Sequence, residues 1–237
     1  MSTFVLVPGA GGQAWYWHRV VPRLAFRGHV AVAVDLPAGD ESARLADYVR
    51  TVVQAVPPRS TLEAGGAGLV MVGQSLGGLV APVAAERCRA DLLVLVAPVV
   101  PRPGESGGEW WGATQQGEAM RRFAVEQGRD PDSTDDDTLY YHDVPPSVRA
   151  EALRREFAQT EGPLRDPWPL DRWPDVPTRV VAGRHDRLFP PDFMTTLARE
   201  RIGVEPDLID TGHLSALADP DALVDLLDRY AHEIPSA

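Results

Sequence analysis

The sequence predicts an α/β protein, with a mainly parallel, doubly wound sheet of about six strands and a helical cap insertion after the fourth strand. Two observations predict this fold class. Short apolar, β-branched runs alternate with stretches whose apolar residues recur at helical spacing, and strands joined by helices form parallel sheets. Between residues 99 and 173, glycine and proline clusters with short helical pieces replace this alternation. A sheet of this kind carries its site at the carboxyl ends of its strands.

The predicted strands are runs that are apolar throughout, as expected where both faces of a sheet are covered. The predicted helices end at turn signals such as Gly28 and Pro57-Pro58. In chain order the elements are strand 3–7, helix 15–26, strand 29–34, helix 44–56, a polar linker through 65–68, and a strand from 69 with the helix behind it. After strand 92–96 come cap helices 119–126 and 148–159, then strand 178–182, helix 191–201, strand 204–209 and helix 214–232.

The domain organisation follows from the length and from the position of the insertion. Residues 1–98 and 174–237 are predicted to form one core domain, which the cap at residues 99–173 interrupts. A chain of 237 residues suits one domain with a modest insertion. No apolar run approaches the length of a membrane span, and the N-terminus enters a strand without a basic region or cleavage site. We therefore expect a cytoplasmic protein.

The charged and sulfur-containing residues exclude several classes of function. A net charge of −11 leaves no electrostatic footprint for nucleic acid or for anionic membranes, so the expected partner is a small molecule. All 23 basic residues are arginine, which excludes Schiff-base chemistry and a P-loop lysine. Cys88 is the only cysteine, and no histidine has ligand partners at metal-binding spacing. We predict neither a metal site nor a cofactor.

One short stretch organises the chain. Gly73-Gln74-Ser75-Leu76-Gly77 lies where an apolar strand gives way to a helix rich in small residues. It fits the G-x-S-x-G pattern of a nucleophile elbow, in which the serine is strained at a sharp strand-to-helix turn. The glycines leave room for the strand and the helix to pass close to the serine. The positive end of the helix faces any negative charge that forms there, so Ser75 is the predicted nucleophile.

The serine needs a base within hydrogen-bond reach, and the base needs a third group to orient it. Asp186 follows the fifth predicted strand and His213 follows the sixth, which brings both to the same edge of the sheet as Ser75. The order serine, carboxylate, histidine is the one that an elbow nucleophile requires. Two further carboxylates, Asp192 and Asp210, lie nearby, and Asp192 is interpreted as the cap of the following helix.

The stretch from residue 4 to residue 17 reads FVLVPGAGGQAWYW. Together with the elbow and the two strand-end residues, it resembles the α/β-hydrolase superfamily and, within it, the plant methylesterase and hydroxynitrile lyase group. The resemblance covers both sides of the cap and does not extend usefully into it. Pro8 and Gln74 stand where histidine is common in the family. The Gln74 side chain is expected to point away from the serine, as it does there.

The resemblance implies a mechanism for these residues. His213 takes the proton from Ser75 as the serine attacks a carbonyl, and Asp186 holds the imidazole. The backbone N–H groups of Ala10 and Leu76 stabilise the oxyanion. An acyl-enzyme forms and is then hydrolysed by water that the histidine activates.

The predicted substrate-binding residues lie in the glycine turn and in the cap. Gly9 and Gly11 belong to a turn whose backbone can approach a ligand closely. Trp110, Trp111 and Tyr140 are aromatic residues of the cap. They are interpreted either as a lid over the serine, with an apolar acyl or alcohol site, or as the small core of the cap itself.

These residues predict a serine hydrolase that cleaves a carboxylic ester, thioester or lactone of a small, partly apolar molecule. One alternative is a ligand-binding protein on a hydrolase scaffold with weak turnover. Another is a hydroxynitrile lyase. The sequence disfavours the lyase, because those relatives carry lysine after the catalytic histidine, whereas Leu214 stands there and the chain has no lysine.

Overall fold

Six parallel strands form one sheet in the order β2-β1-β3-β4-β5-β6. The computed structural model describes residues 1–64, 68–155 and 158–234. Each pair of neighbouring strands runs parallel, so the predicted parallel, doubly wound sheet is confirmed. The strands are β1 Ser2–Val7, β2 Val30–Ala33, β3 Gly68–Gln74, β4 Leu92–Val96, β5 Thr178–Gly183 and β6 Asp207–Ile209.

Within the described part of the chain, no helix combines the length and the apolar character needed to cross a bilayer.

Helices connect the strands and cover both faces of the sheet. The helices are α1 Val21–Phe26, α2 Leu45–Ala55, α3 Arg59–Ala64, α4 Gly77–Cys88, α5 Gly107–Ala113, α6 Gln116–Glu126, α7 Pro146–Ala152, α8 Gly162–Arg165, α9 Pro191–Ile202, α10 Ser215–Ala218 and α11 Pro220–His232. A 3₁₀ turn at Ala14–Trp17 and a π turn at Asp137–Tyr141 complete them.

Alternate residues of the central strands face two separate apolar cores, one on each side of the sheet. Val5 of β1 and Met71 of β3 belong to the core that includes α2, α4 and α9. Phe4 and Val70 belong to the core that includes α1 and α11. Because helices cover both faces of these strands, an apolar residue is favoured at every position. This explains why the strands are continuous apolar runs in the sequence.

Proline divides two of the predicted helices. The predicted helix 15–26 is a 3₁₀ turn followed by the shorter α1, in which Pro22 stands in the first turn. The predicted helix 214–232 is α10 followed by α11, which begins at Pro220. Proline lacks a backbone N–H and is tolerated in the first turn of a helix, where that donor would have no partner. A new helix therefore starts at each proline.

The structure also contains three helices that apolar spacing did not predict: α3, α5 and the four-residue α8. Glycines at the start of α5 lower its helix propensity, but a capping box between Ser106 and Glu109 satisfies donors of its first turn. α3 lies in the region interpreted as a polar linker, of which residues 65–67 lie outside the described residues.

The predicted cap helix 148–159 is shorter in the structure. It corresponds to α7, which ends at Ala152. Residues 156 and 157, which also fall in this prediction, lie outside the described residues.

The segment between β4 and β5 packs onto the core through two buried tryptophans. The Trp110 indole N–H donates to the Val100 carbonyl at 3.0 Å, and the Trp168 indole N–H donates to the Leu79 carbonyl of α4 at 3.0 Å. These bonds satisfy the polar atoms of side chains that are almost fully buried. The domain boundaries at residues 99 and 173 stay a prediction.

Replacing Arg201 by alanine is expected to lower the free energy of unfolding by about 3–5 kcal/mol. Arg201 of α9 pairs with Glu105 at the start of the cap, and the two side chains are 3% and 10% exposed. The guanidinium also donates to the Val100 carbonyl at 2.6 Å. Removing it leaves the Glu105 carboxylate buried without its cation. Denaturant unfolding measures the change.

Arg199 provides the matched control, because it lies on the same helix and also pairs with a glutamate. Both side chains of its pair with Glu205 are 64% exposed, and exposed pairs contribute about 0–1 kcal/mol. Arg199→Ala should therefore change the unfolding free energy by no more than about 1 kcal/mol. Equal losses in the two variants would contradict the role assigned to burial.

Candidate active site

Ser75 lies in the turn that joins β3 to α4. Its φ is +50°, a left-handed conformation that non-glycine residues seldom adopt and that marks stored backbone strain. Neighbouring backbone holds the residue in place. The Ser75 N–H donates to the Val96 carbonyl at 3.0 Å, and the Ser75 carbonyl accepts the N–H groups of Gly78 and Val99, each at 2.9 Å. The conformation is thus the one that a nucleophile elbow requires.

The two glycines of the motif are needed for close packing. A Cβ at Gly73 would lie 2.6 Å from the Cβ of Ala81 and 2.9 Å from the carbonyl oxygen of Gly77. A Cβ at Gly77 would lie 2.8 Å from the carbonyl oxygen of Pro8 at the end of β1. Neither backbone contact can give way as a flexible side chain would, so the turn can form only where these positions lack side chains.

The structure brings the predicted nucleophile, base and acid together in one chain of hydrogen bonds. Nε2 of His213 lies 3.0 Å from Oγ of Ser75, and Nδ1 of His213 lies 2.8 Å from Oδ2 of Asp186. His213 is 2% exposed and Asp186 is fully buried. In the tautomer that fits this geometry, Nδ1–H donates to the carboxylate and Nε2 accepts the serine hydroxyl.

The second oxygen of Asp186 is held by the backbone that follows it. Oδ1 accepts the N–H of Leu188 at 2.9 Å and that of Phe189 at 2.8 Å. A buried carboxylate needs such donors to offset the loss of water. Of the two other nearby carboxylates, Asp210 lies at the surface in an ion pair with Arg184. Asp192 lies in the first turn of α9, whose N-cap is Pro190, so the interpretation of Asp192 as the cap is wrong. Asp186 is therefore the carboxylate that the fold places in hydrogen-bond contact with the imidazole.

Two backbone amides at the predicted oxyanion position have no internal acceptor. Among the described residues, neither the Ala10 N–H nor the Leu76 N–H donates to a protein atom. Leu76 immediately precedes α4, whose amide dipoles point toward the turn. The neighbouring Gly11 N–H, by contrast, donates to Oε1 of Gln159 at 3.1 Å. No sequence pattern marks this cap glutamine, because its role depends on tertiary contact.

Aromatic rings surround the imidazole. Phe189 meets the His213 ring edge-on at a centroid distance of 5.0 Å, and Tyr140 meets it at 5.7 Å. Burial raises the pKa of the Tyr140 phenol, and the carboxylates of Asp136 and Asp186 raise it further, so the phenol stays neutral. Tyr140 thus lies beside His213, and its role in substrate binding stays a prediction.

The two cap tryptophans differ in their placement. Trp110 is fully buried in the main core and packs against Phe189 and Phe193. Trp110 therefore belongs to the core shared with the sheet rather than to a separate core of the cap. A fully buried ring whose N–H is already bonded to Val100 has no exposed face for a ligand. Trp111 is 37% exposed and packs on Trp110 and Phe189. Its role in substrate binding stays a prediction.

A cleft of about 90 Å³ opens beside the glycine turn. Gly9, Ala10 and Gly11 line it, as does Leu214, which is next to His213 in the sequence. The rest of the lining is mixed, with three aromatic residues beside polar and aliphatic ones: Trp15, Tyr16, Tyr141, Gln13, Gln74, Arg155, Pro8, Ala152 and Leu217. The cleft is close to the predicted oxyanion position and is partly apolar. Within the described ranges, no group of three or more histidine, cysteine or acidic residues could hold a metal ion.

Gln74 contacts the histidine loop. Its amide nitrogen lies 3.4 Å from the carbonyl oxygen of His213, and the residue is 3% exposed. The expectation that Gln74 does not affect the serine stays a prediction, but the side chain bridges the elbow strand and the loop that carries the base.

Comparison with known protein families matches residues 4–226 to the alpha/beta hydrolase family. The match covers nearly all of the chain, including both strand ends that carry the triad residues. The chain belongs to the alpha/beta hydrolase family. This confirms the fold and the superfamily that the sequence predicts.

Two curated relatives of this alpha/beta hydrolase are plant proteins. The probable esterase PIR7A of Oryza sativa subsp. indica is 39% identical over 114 residues, which cover 44% of this chain and 42% of that protein. Methyl jasmonate esterase 1 of Vitis vinifera is 32% identical over 105 residues, which cover 42% of this chain and 40% of that protein. The chain thus spans about two fifths of the length of the curated relatives it matches.

Solved structures resemble the alpha/beta hydrolase along its whole length. Polyneuridine aldehyde esterase matches with a TM-score of 0.74 and 18% identity, over 98% of this chain and 99% of that chain. A pyrethroid hydrolase from Sphingobium faniae JZ-2 matches with a TM-score of 0.72 and 17% identity, over 98% of this chain and 97% of that chain. At this identity the likeness concerns the fold alone.

Proposed function

We propose that the protein is a serine esterase that cleaves carboxylic esters, thioesters or lactones of small, partly apolar molecules through an acyl-enzyme. The observation that carries this proposal is the hydrogen-bonded chain from Ser75 through His213 to Asp186, at 3.0 and 2.8 Å. The names of the plant relatives, which include esterases and methylesterases, support an ester as the substrate.

In the first step, Oγ of Ser75 attacks the carbonyl carbon of the ester and its proton moves to Nε2 of His213. The carboxylate of Asp186 keeps the Nδ1–H in place and stabilises the imidazolium that results. The hydroxyl and the imidazole already lie at hydrogen-bond distance, so little rearrangement precedes the transfer.

The negative charge that forms on the carbonyl oxygen needs donors already aimed at it. The N–H groups of Ala10 and Leu76 are the candidates, because neither has an acceptor among the described residues. Donors of this kind each contribute about 3–4 kcal/mol to transition-state stabilisation. The start of α4 adds its dipole at the same point.

The intermediate then collapses. The bond to the leaving alcohol breaks, and His213 gives its proton to the departing oxygen, which leaves an ester between the substrate acyl group and Ser75. A water molecule then attacks this ester while His213 takes a proton from the water. When the second tetrahedral intermediate collapses, His213 returns the proton to Ser75 and the carboxylic acid is released, so the enzyme ends the cycle unchanged.

The groups around the imidazole favour a partly apolar substrate. Phe189 and Tyr140 present rings to His213, and the cleft beside the glycine turn carries Trp15 and Tyr141. Apolar walls with a few oriented polar groups are typical of small-molecule sites. Leu214 follows the histidine and offers no cation to a departing group, in keeping with hydrolysis rather than cyanide elimination.

Burst kinetics and covalent labelling test the proposal. A short-chain p-nitrophenyl ester should release about one equivalent of p-nitrophenol per chain before steady state, because the acyl-enzyme accumulates. A fluorophosphonate should label the protein once, and mass spectrometry should place the label on Ser75. A well-folded protein that shows neither burst nor label would instead favour the ligand-binding alternative.

A further inference from the structure

The end of the π turn in the cap lies directly against the loop that carries the candidate base. Asp143 follows this turn by two residues, and its Oδ2 accepts the backbone N–H of Gly212. Gly212 immediately precedes His213. A cap carboxylate therefore holds the backbone one residue away from the imidazole, at a point where no regular secondary structure supports it.

The contact depends on the absence of a side chain at Gly212. A Cβ there would lie 2.7 Å from Cε1 of His142 and 2.9 Å from Oδ1 of Asp143. Both distances are shorter than real Cβ contacts allow, so a side chain at residue 212 would displace the His142 and Asp143 side chains that pack there. The Tyr140 ring, on the same cap segment, packs on the His213 ring at 5.7 Å.

The other contacts of the loop leave this backbone donor to Asp143. Thr211 and Ser215 bond to each other through their hydroxyl groups at 2.7 Å, and the Ser215 hydroxyl also reaches the Gly212 carbonyl at 3.4 Å. The His185 N–H donates to the Thr211 carbonyl at 3.0 Å, and Gln74 reaches only the His213 carbonyl, at 3.4 Å. Within the described residues, Oδ1 of Asp143 is buried without a partner, and no arginine forms an ion pair with this carboxylate.

A buried carboxylate oxygen without a hydrogen-bond partner destabilises the folded protein, because burial removes its hydration. A bond between a charged acceptor and an N–H is, however, about twice as strong as a neutral one. The arrangement therefore suits a site where a backbone position must be fixed rather than merely covered.

We propose that Asp143 is a positioning residue, which fixes the backbone at Gly212 so that the His213 imidazole stays between Ser75 and Asp186. The inference rests on the proposed esterase function. On this proposal the cap does two things: it forms a wall of the site, and through Asp143 it helps to set the position of the His213 imidazole. Misplacement of a catalytic group by about 1 Å can lower the rate about 100-fold.

The test compares two substitutions. Asp143→Ala removes the acceptor and should lower kcat for a p-nitrophenyl ester roughly 10- to 100-fold, with KM changed less than about 3-fold. The rate of fluorophosphonate labelling should fall by the same factor. Asp143→Asn keeps an oxygen for the Gly212 N–H and should retain kcat within about 5-fold of wild type, because the bond survives without its charge.

Asp137 supplies the matched control. It lies in the π turn that precedes Asp143, and its carboxylate pairs with the guanidinium of Arg149, whose Nε donates at 2.7 Å. Asp137→Ala removes a cap carboxylate and its partner contact without touching the His213 loop, so kcat should stay at the wild-type value. Hydrogen exchange at the Gly212 amide should accelerate in Asp143→Ala and not in Asp137→Ala.

The outcomes are distinguishable. An active wild-type protein with an equally active Asp143→Ala, or with kcat lowered equally by Asp137→Ala, overturns this inference alone. Wild-type protein without turnover or labelling overturns the proposed function and this inference with it. If Asp143→Ala does not fold, Asp143→Leu, which keeps the branched shape of the side chain and removes its acceptors, replaces it. Failure of both to fold while Asp143→Asn folds would assign the carboxylate to stability and overturn the positioning role.

Discussion

Ser75→Ala is expected to lower kcat for ester hydrolysis by roughly 10⁵- to 10⁶-fold, because it removes the atom that attacks the carbonyl. The residual rate would come from the Ala10 and Leu76 amides and from substrate binding. Steady-state hydrolysis of a p-nitrophenyl ester measures the loss. Alanine also lacks the hydroxyl that bonds to His213, but it is no larger than serine, so the packing at the turn should be preserved.

Ser42 is a suitable control serine. It lies in an exposed loop, where its hydroxyl bonds to Asp40 at 2.7 Å. Ser42→Ala should keep both the wild-type rate and the single fluorophosphonate label. A Ser75→Ala protein that is folded, by circular dichroism and thermal unfolding, yet hydrolyses the ester at the wild-type rate would contradict the assignment of the nucleophile.

The sheet and the triad candidates were predictable because their signals are local. Residues such as Val5 and Val70 lie in strands covered on both faces, so burial leaves its mark on consecutive positions of the sequence. Asp186 and His213 follow strands, and parallel strands end at one edge of the sheet. The order of the strands in the sequence therefore predicts that these side chains lie close enough to form hydrogen bonds.

The cap was less predictable, because tertiary packing decides what its residues do. Trp110 is an aromatic residue of a kind that often lines pockets. In the structure its N–H is bonded to Val100 and its ring is buried in the core. Asp143 lies in an acidic and turn-rich region with no motif around it. Its importance depends on Gly212, about 70 residues later in the chain, and no local pattern records such a contact.

Asp186→Asn is expected to lower kcat/KM by roughly 10⁴-fold while leaving the fold intact. The reason lies in the two oxygens of the carboxylate. Oδ1 accepts two backbone amides, those of Leu188 and Phe189, so asparagine must keep its carbonyl oxygen on that side. Its NH₂ group then faces Nδ1 of His213, which must become an acceptor. The proton moves to Nε2, and the imidazole can no longer accept the hydroxyl proton of Ser75.

Asp210 separates this tautomer effect from a general loss of negative charge near the base. Its side chain is 80% exposed and pairs with Arg184 at 3.2 Å, in the same group of turns as Asp186. Asp210→Asn removes the same charge by the same substitution and should leave kcat/KM at the wild-type value. The opposite pattern, with Asp210→Asn impaired and Asp186→Asn active, would transfer the role of the acid to Asp210. It would also mean that the buried hydrogen bond between Asp186 and His213 does not orient the base.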